Sequence, residues 1–298
     1  MKVHNFLPTF IQCMKRWENP PGLDDFVESY YRPMEPLVGV VFDDLAKRIG
    51  GNLHSAIEDL NWKKYRTDVL TLDPQFEEDR VRRQIGAVEE LFGFRLEGDA
   101  ILWGSFQCMD GYARFDRGSH RVFLGVDENH GPGKYLDVLI SHELTHVARE
   151  SRAEVWKGWG LNPAMTHDEF SENQPVIEHL IGEGFSCAVS EILVGGVEPW
   201  NYVYQTEASL ARVLKHASSV NEVIHREIQA GSDGDWSRLY NPAGYRPNLP
   251  VFTHYVWAWQ WAKQLLQDHA QGDPRKIVGV CSKEFVEHAL AFELRNLA

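Results

Sequence analysis

The stretch that decides the reading is Val138-Leu139-Ile140-Ser141-His142-Glu143-Leu144-Thr145-His146-Val147-Ala148. Leu136, Ile140, Leu144 and Val147 recur at helical spacing, and their stripe anchors a helix over 134–150 in a core. Between positions 138 and 148 the one acidic or basic side chain, histidines aside, is Glu143. His142 and His146 are four residues apart, so on a helix they share a face, with Cβ atoms about 5–6 Å apart. Two imidazoles so placed converge on one metal ion, at about 2.0–2.1 Å for zinc. Glu143 directly follows the first imidazole and is placed to take a proton from water rather than to coordinate. A buried glutamate and two buried histidines are costly without partners, and a metal ion supplies one.

A zinc site that does chemistry has three protein ligands and one open position. The first choice for the third is Glu183, in Leu180-Ile181-Gly182-Glu183-Gly184-Phe185-Ser186. On a helix it shares a face with Val176, Leu180, Cys187 and Val194, so a carboxylate there needs a strong partner. The flanking Gly182 and Gly184 let another helix come close. His179, one turn earlier, is the rival, as ligand or as a supporting group. Glu178 and Glu191 read as solvent-facing, and His167 and Asp168 reach a metal only if their loop folds back.

His142-Glu143-Leu144-Thr145-His146-Val147-Ala148 closely resembles the zinc helix of thermolysin-like peptidases. In that clan the third ligand is a Glu on a following helix, within Glu-x-x-Ser-Asp, and the Asp supports a ligating His. Here Glu183-Gly184-Phe185-Ser186-Cys187 keeps the Glu and Ser but has Cys where the Asp is expected, so the supporting role does not carry over. The interval of 37 positions from His146 to Glu183 is also longer than in thermolysin. The wider pattern, over residues 120 to 265, looks more like the YjaZ-like family of predicted Zn-dependent proteases. The resemblance implies a gluzincin-like zincin fold, zinc on His142, His146 and Glu183, and peptide hydrolysis with Glu143 as general base. Thermolysin-like enzymes also use a Tyr or His beyond the third ligand to stabilise the oxyanion. Tyr255 and His254 are the favoured candidates here, followed by Tyr245, with Tyr240 also available. Against that, an aromatic beside Trp257, Trp259 and Trp261 is more often core than catalytic.

Outward from the motif, the chain predicts an α+β protein that is mostly helical, with a small antiparallel or mixed sheet beside the zinc helix and a helical C-terminal lobe. Residues 1–95 form a helical N-terminal region. Residues 96–298 form the zincin-like domain, with sheet and zinc helix in 96–150 and the helical lobe in 173–298, unless the whole is one continuous domain. Strands are expected at 100–106, 112–115 and 121–126. The strand 120–126 is either an edge that pairs with extended substrate or an ordinary internal strand. Helices are expected at 76–92, 175–194, 205–229, 253–267 and 283–294, with Thr253 as an N-cap. Gly50-Gly51 ends an earlier helical run, and residues 151–172 and 232–250 read as loops.

The 298 residues carry 43 acidic against 30 basic side chains, a formal charge of −13, which disfavours nucleic acid as a partner. No apolar run reaches the roughly 18 residues of a membrane span, and the N-terminus lacks a signal-peptide core. Cys13, Cys108, Cys187 and Cys281 lie far apart without a CxxC pair, which points to a reducing, cytoplasmic setting. Cys187 reads as a buried structural thiol rather than a nucleophile. The expected partner is a peptide or protein substrate, with no membrane and no nucleic acid. Two alternatives stay open: a zinc hydrolase of small amides or esters, and a non-enzymatic regulatory protein with a structural zinc site.

Overall fold

Two strands that each carry a continuous apolar run stand side by side at the centre of the sheet. They are β2 (Asp99–Trp103) and β4 (Ser119–Gly125), and Ala100 to Trp103 and Val122 to Leu124 are all buried. Parallel strands covered on both faces read in this continuous apolar way. β1 (Lys2–Asn5) and β3 (Gly111–Asp116) complete a mixed sheet in the order β1-β2-β4-β3. β1, β2 and β4 run parallel, with Val3 opposite Ala100 and Ile101 opposite Phe123. Arg117 and Gly118, both at positive φ, make the two-residue turn between β3 and β4. β4 is therefore internal, and the described edges are β1 and β3. β1 is absent from the sequence expectation, because four residues between Met1 and a helix give too short a pattern.

The computed structural model describes residues 1–49, 57–127, 130–131, 133–242 and 248–295. It is an α+β protein dominated by helices. The longer ones are α1 (Leu7–Arg16), α2 (Arg32–Ile49), α3 (Trp62–Val69), α4 (Pro74–Phe92), α5 (Tyr135–Glu150), α6 (Val176–Leu193), α7 (Glu207–Lys215), α8 (Ala217–Gln229) and α9 (Thr253–Ala270). The expected end of α2 at Gly50-Gly51 lies outside the described residues. The expected single helix over 205–229 is broken at His216 into α7 and α8. The stretch 151–172 contains two short helices, Ala153–Lys157 and His167–Asn173, and a Thr166/Glu169 capping box starts the second. Near the C-terminus a 3₁₀ turn, Ser282–Phe285, leads into the short helix Val286–Ala291.

The chain clusters into two compact units. The first comprises Met1–Ile85, Glu97–Arg114 and His120–Ile140. Its core joins Phe10, Met14, Tyr30 and Met34 to Trp103, Phe106 and Phe123 of the sheet region. Tyr30 holds the end of β2 from both sides: its hydroxyl donates to the Gly104 carbonyl (2.7 Å) and accepts from the Gly104 amide (2.8 Å). Any Cβ on Gly104 would fall 2.2 Å from the Phe10 ring, so only glycine fits. The left-handed Phe106 and Gln107 follow. This strained turn is fixed by the buried Asp127, which accepts from the Ser105 and Gln107 amides, the Ser105 hydroxyl and the Tyr65 hydroxyl.

The second unit comprises Gly86–Leu96, Phe115–Ser119 and Ser141–Ala298. Its axis is α6, buried from Val176 through Ser190 without a break. A helix apolar on nearly every side sits inside its unit rather than on its surface. α9 packs directly on it: a Cβ at Gly184 would lie 2.1 Å from the Ala258 carbonyl oxygen. Trp257, Trp259 and Trp261 of α9 are buried, and their indole N–H groups donate to Asn221, Glu191 and His288. They are core, as the helical spacing implied.

Candidate metal centre

α5 carries His142, Glu143 and His146, and α6 carries Glu183. His142 Nε2 stands 3.1 Å from Glu183 Oε2 and 3.1 Å from His146 Nε2. His146 Nε2 is 3.4 Å from the same carboxylate oxygen. Three donor atoms thus form a near-equilateral triangle. Ligand atoms around a tetrahedral zinc with bonds of about 2.0–2.1 Å are separated by about 3.3–3.4 Å, so the donor set fits the ion. Protons satisfy the arrangement less well, because two imidazole nitrogens face each other and compete for one carboxylate oxygen. Gly182 faces the His146 ring, and a Cβ there would make ordinary van der Waals contact at 3.6 Å.

The electrostatics agree. Burial lowers the His142 pKa. Burial acts the same way on His146, but the charges of Glu183, Glu143 and Glu150 outweigh it and lift that ring to about 9. Burial would raise the Glu183 carboxyl, yet His146 and His142 hold it well below the usual carboxylate range. The site is a concentration of negative charge around two imidazoles, which is what a divalent cation would compensate.

Each ligand has a neighbour behind it. Glu150 Oε1 lies 3.9 Å from His146 Nδ1, at the i+4 position of the same helix. Cys187 Sγ lies 3.7 Å from His142 Nδ1. His179 Nδ1 lies 4.0 Å from Glu183 Oε1, and among the described residues the group able to hold a metal is His142, His146 and Glu183, without His179. His179 is instead stacked on Trp236, and burial keeps its pKa near 4. Glu178 is not solvent-facing as its position suggested: it is buried and forms a bidentate pair with Arg149, at 2.8 and 2.9 Å. Glu191 accepts from Trp259 and Lys263. His167 and Asp168 begin a short helix, and Asp116 caps the His167 amide.

Tyr255, near the start of α9, places its ring 6.2 Å from that of His142. Burial and the Glu183 charge push its hydroxyl well above the ordinary tyrosine pKa, so it stays a donor at neutral pH. His254 is buried, and its Nδ1 stands 3.0 Å from the Leu239 carbonyl. A carbonyl only accepts, so that nitrogen carries the proton and Nε2 offers a lone pair. Burial holds the ring near pKa 3, hence neutral. Thr253 is not the N-cap; that place is taken by Phe252 in the left-handed region, and the Thr253 hydroxyl donates to the Pro250 carbonyl. Tyr245 lies outside the described residues. Tyr240 packs 4.7 Å from the His254 ring.

Sequence reasoning missed Tyr204, whose ring meets His142 edge-on at 5.1 Å and Tyr255 at 5.4 Å. It comes from a connector with left-handed backbone, φ 54°, which no periodicity signals. Gln205 beside it donates to the carbonyls of Val251 and Phe252 and so ties that connector to the start of α9. Glu150 was legible, being one turn beyond His146.

Fold and site together define a mostly helical α+β protein with a buried His-His-Glu group suited to a divalent metal. Comparison with protein-family models, with characterised proteins and with solved structures gives no match to this chain. None of the described helices is long and apolar enough to cross a membrane.

Proposed function

We propose that this chain is a zinc-dependent peptidase in which Glu143 is the general base. The observation that carries the reading is the convergence of His142 Nε2, His146 Nε2 and Glu183 Oε2 within 3.1–3.4 Å, on the helix where Glu143 separates the histidines by the HExxH spacing. His142, His146 and Glu183 would hold the metal, leaving one position open. The chemistry that zinc supplies when bound is Lewis-acid polarisation of the scissile carbonyl and of the attacking water. Glu143 takes the proton from that water and later delivers it to the leaving amine. Tyr255 donates its hydroxyl proton toward the oxyanion. His254, an acceptor in its neutral tautomer, is less suited to that task. The resemblance of the zinc helix to thermolysin-like and YjaZ-like proteases supports a peptide substrate. The separated cysteines and the acidic charge fit a cytoplasmic enzyme that binds neither nucleic acid nor membrane.

Elemental analysis of wild type beside Glu183→Ala and His179→Ala tests the ligand set: near-stoichiometric zinc in wild type, lost in Glu183→Ala and kept in His179→Ala. A peptide library screened beside simple amides and esters tests the substrate class. Glu143→Gln is expected to abolish hydrolysis while zinc content stays near normal. Turnover retained in that variant would remove Glu143 from the mechanism.

A further inference from the structure

His142 faces Glu183 and His146 with Nε2, while its Nδ1 faces Cys187 Sγ at 3.7 Å. An imidazole that gives the Nε2 lone pair to a metal carries its proton on Nδ1, so the group behind Nδ1 must accept. Sulfur accepts weakly, and at a longer distance than oxygen. We propose that Cys187 is the positioning residue for His142: its sulfur accepts the Nδ1–H bond and fixes the tautomer and ring angle with which His142 binds metal. This rests on the zinc reading above.

Three further observations support it. Cys187 is fully buried on α6, one turn beyond Glu183, so one helix supplies both a ligand and the support for another ligand. Glu143, Glu183 and Glu191 all bear electrostatically on this position. A carboxylate here would add one more charge to a buried, acidic neighbourhood, whereas a neutral thiol accepts the bond without it. The third is the contrast with His146, which has the carboxylate of Glu150 behind its Nδ1. The two imidazoles therefore have unlike groups behind Nδ1, a thiol within hydrogen-bond reach for His142 and a carboxylate at 3.9 Å for His146.

The test is the zinc dissociation constant of the purified full chain, measured by competition with a chromophoric chelator, together with the visible spectrum of the cobalt(II)-loaded protein. Cys187→Val keeps an apolar side chain of similar size and removes the acceptor. Cys187→Ser keeps an acceptor. The expected result is a zinc affinity lowered about 10–100-fold in Cys187→Val, the usual cost of losing such a support. Its cobalt bands should shift, while Cys187→Ser stays close to wild type in both readouts. If Cys187→Val does not fold, Cys187→Ala carries the same comparison. Wild-type affinity and spectrum in the Val or Ala variant would overturn the proposal, and so would a Ser variant as weak as Val. Wild type that binds neither zinc nor cobalt would overturn the metal reading itself, a failure visible without any variant.

Discussion

α5 and α6 meet at two buried charged clusters, and the clusters are built on opposite principles. At one, Arg149 and Glu178 complete each other. The guanidinium forks onto both carboxylate oxygens and also reaches the Ile277 and Val278 carbonyls, and the Ser282 amide adds a donor to Glu178. At the other, two turns earlier on α5, His142, His146 and Glu183 turn their donor atoms toward a common point. The first cluster is neutral and closed with protein groups alone. The second sets imidazole nitrogens face to face, with the carboxylates of Glu143, Glu150 and Glu183 bearing on His146. The same pair of helices therefore carries a structural charge pair and, beside it, a group of donor atoms that could hold a cation.

This contrast predicts that the two clusters respond to different perturbations. Arg149→Met leaves Glu178 buried without its counter-ion, which costs roughly 3–5 kcal/mol of folding stability. The midpoint of urea unfolding, measured with zinc removed, checks this. An unchanged midpoint would mean that Glu178 finds other compensation and that the closed pair is not what locks α5 to α6.

The second cluster should report on metal instead. Zinc in thousandfold excess over its dissociation constant should add about 4 kcal/mol to wild-type stability. Glu183→Ala should lose most of that increment. Arg149→Met should keep it, from a lower baseline. Thermal unfolding of the three proteins with zinc and with a chelator separates these outcomes. An equal zinc increment in Glu183→Ala would show that the His-His-Glu group is not where the metal acts.

The difference between the clusters also explains what was legible in the sequence. His142, Glu143 and His146 declare themselves by i, i+4 spacing within an apolar stripe, and Glu183 by being acidic on an apolar face between two glycines. Both signals are local, and the helices are regular enough to keep them. Glu178 failed the same test: one position around the helix from the apolar stripe it read as exposed, yet α6 is buried on all sides and Arg149 reaches it from α5. Burial on every side is a property of the packing, not of one segment's pattern. Tyr204 and β1 were missed for a related reason. One depends on a left-handed connector, and the other is four residues made into a strand by pairing with β2, far away in the chain. The Arg149–Glu178 pair, Cys187 behind His142 and the crossing of Gly184 over Ala258 likewise join positions that only the tertiary structure brings together.

A histidine in the other unit sharpens the comparison, because the shift of its ring comes from burial. His120 at the start of β4 is buried, and burial holds its pKa down at about 4. His146, half-buried among carboxylates, moves the opposite way. For His120 the folded value lies below the unfolded value of 6.5, so the unfolded chain takes up the proton first. Its contribution is fully present above pH 6.5 and is lost as the pH falls toward 4, by about 3 kcal/mol between pH 7 and pH 4. His120→Gln removes the titrating group, so the variant should lose correspondingly less stability over that interval in urea unfolding measured with zinc absent. If wild type and variant lose stability in parallel, burial of this ring does not set the acid limit of the fold, and the carboxylates around His142 and His146 become the place to look for it.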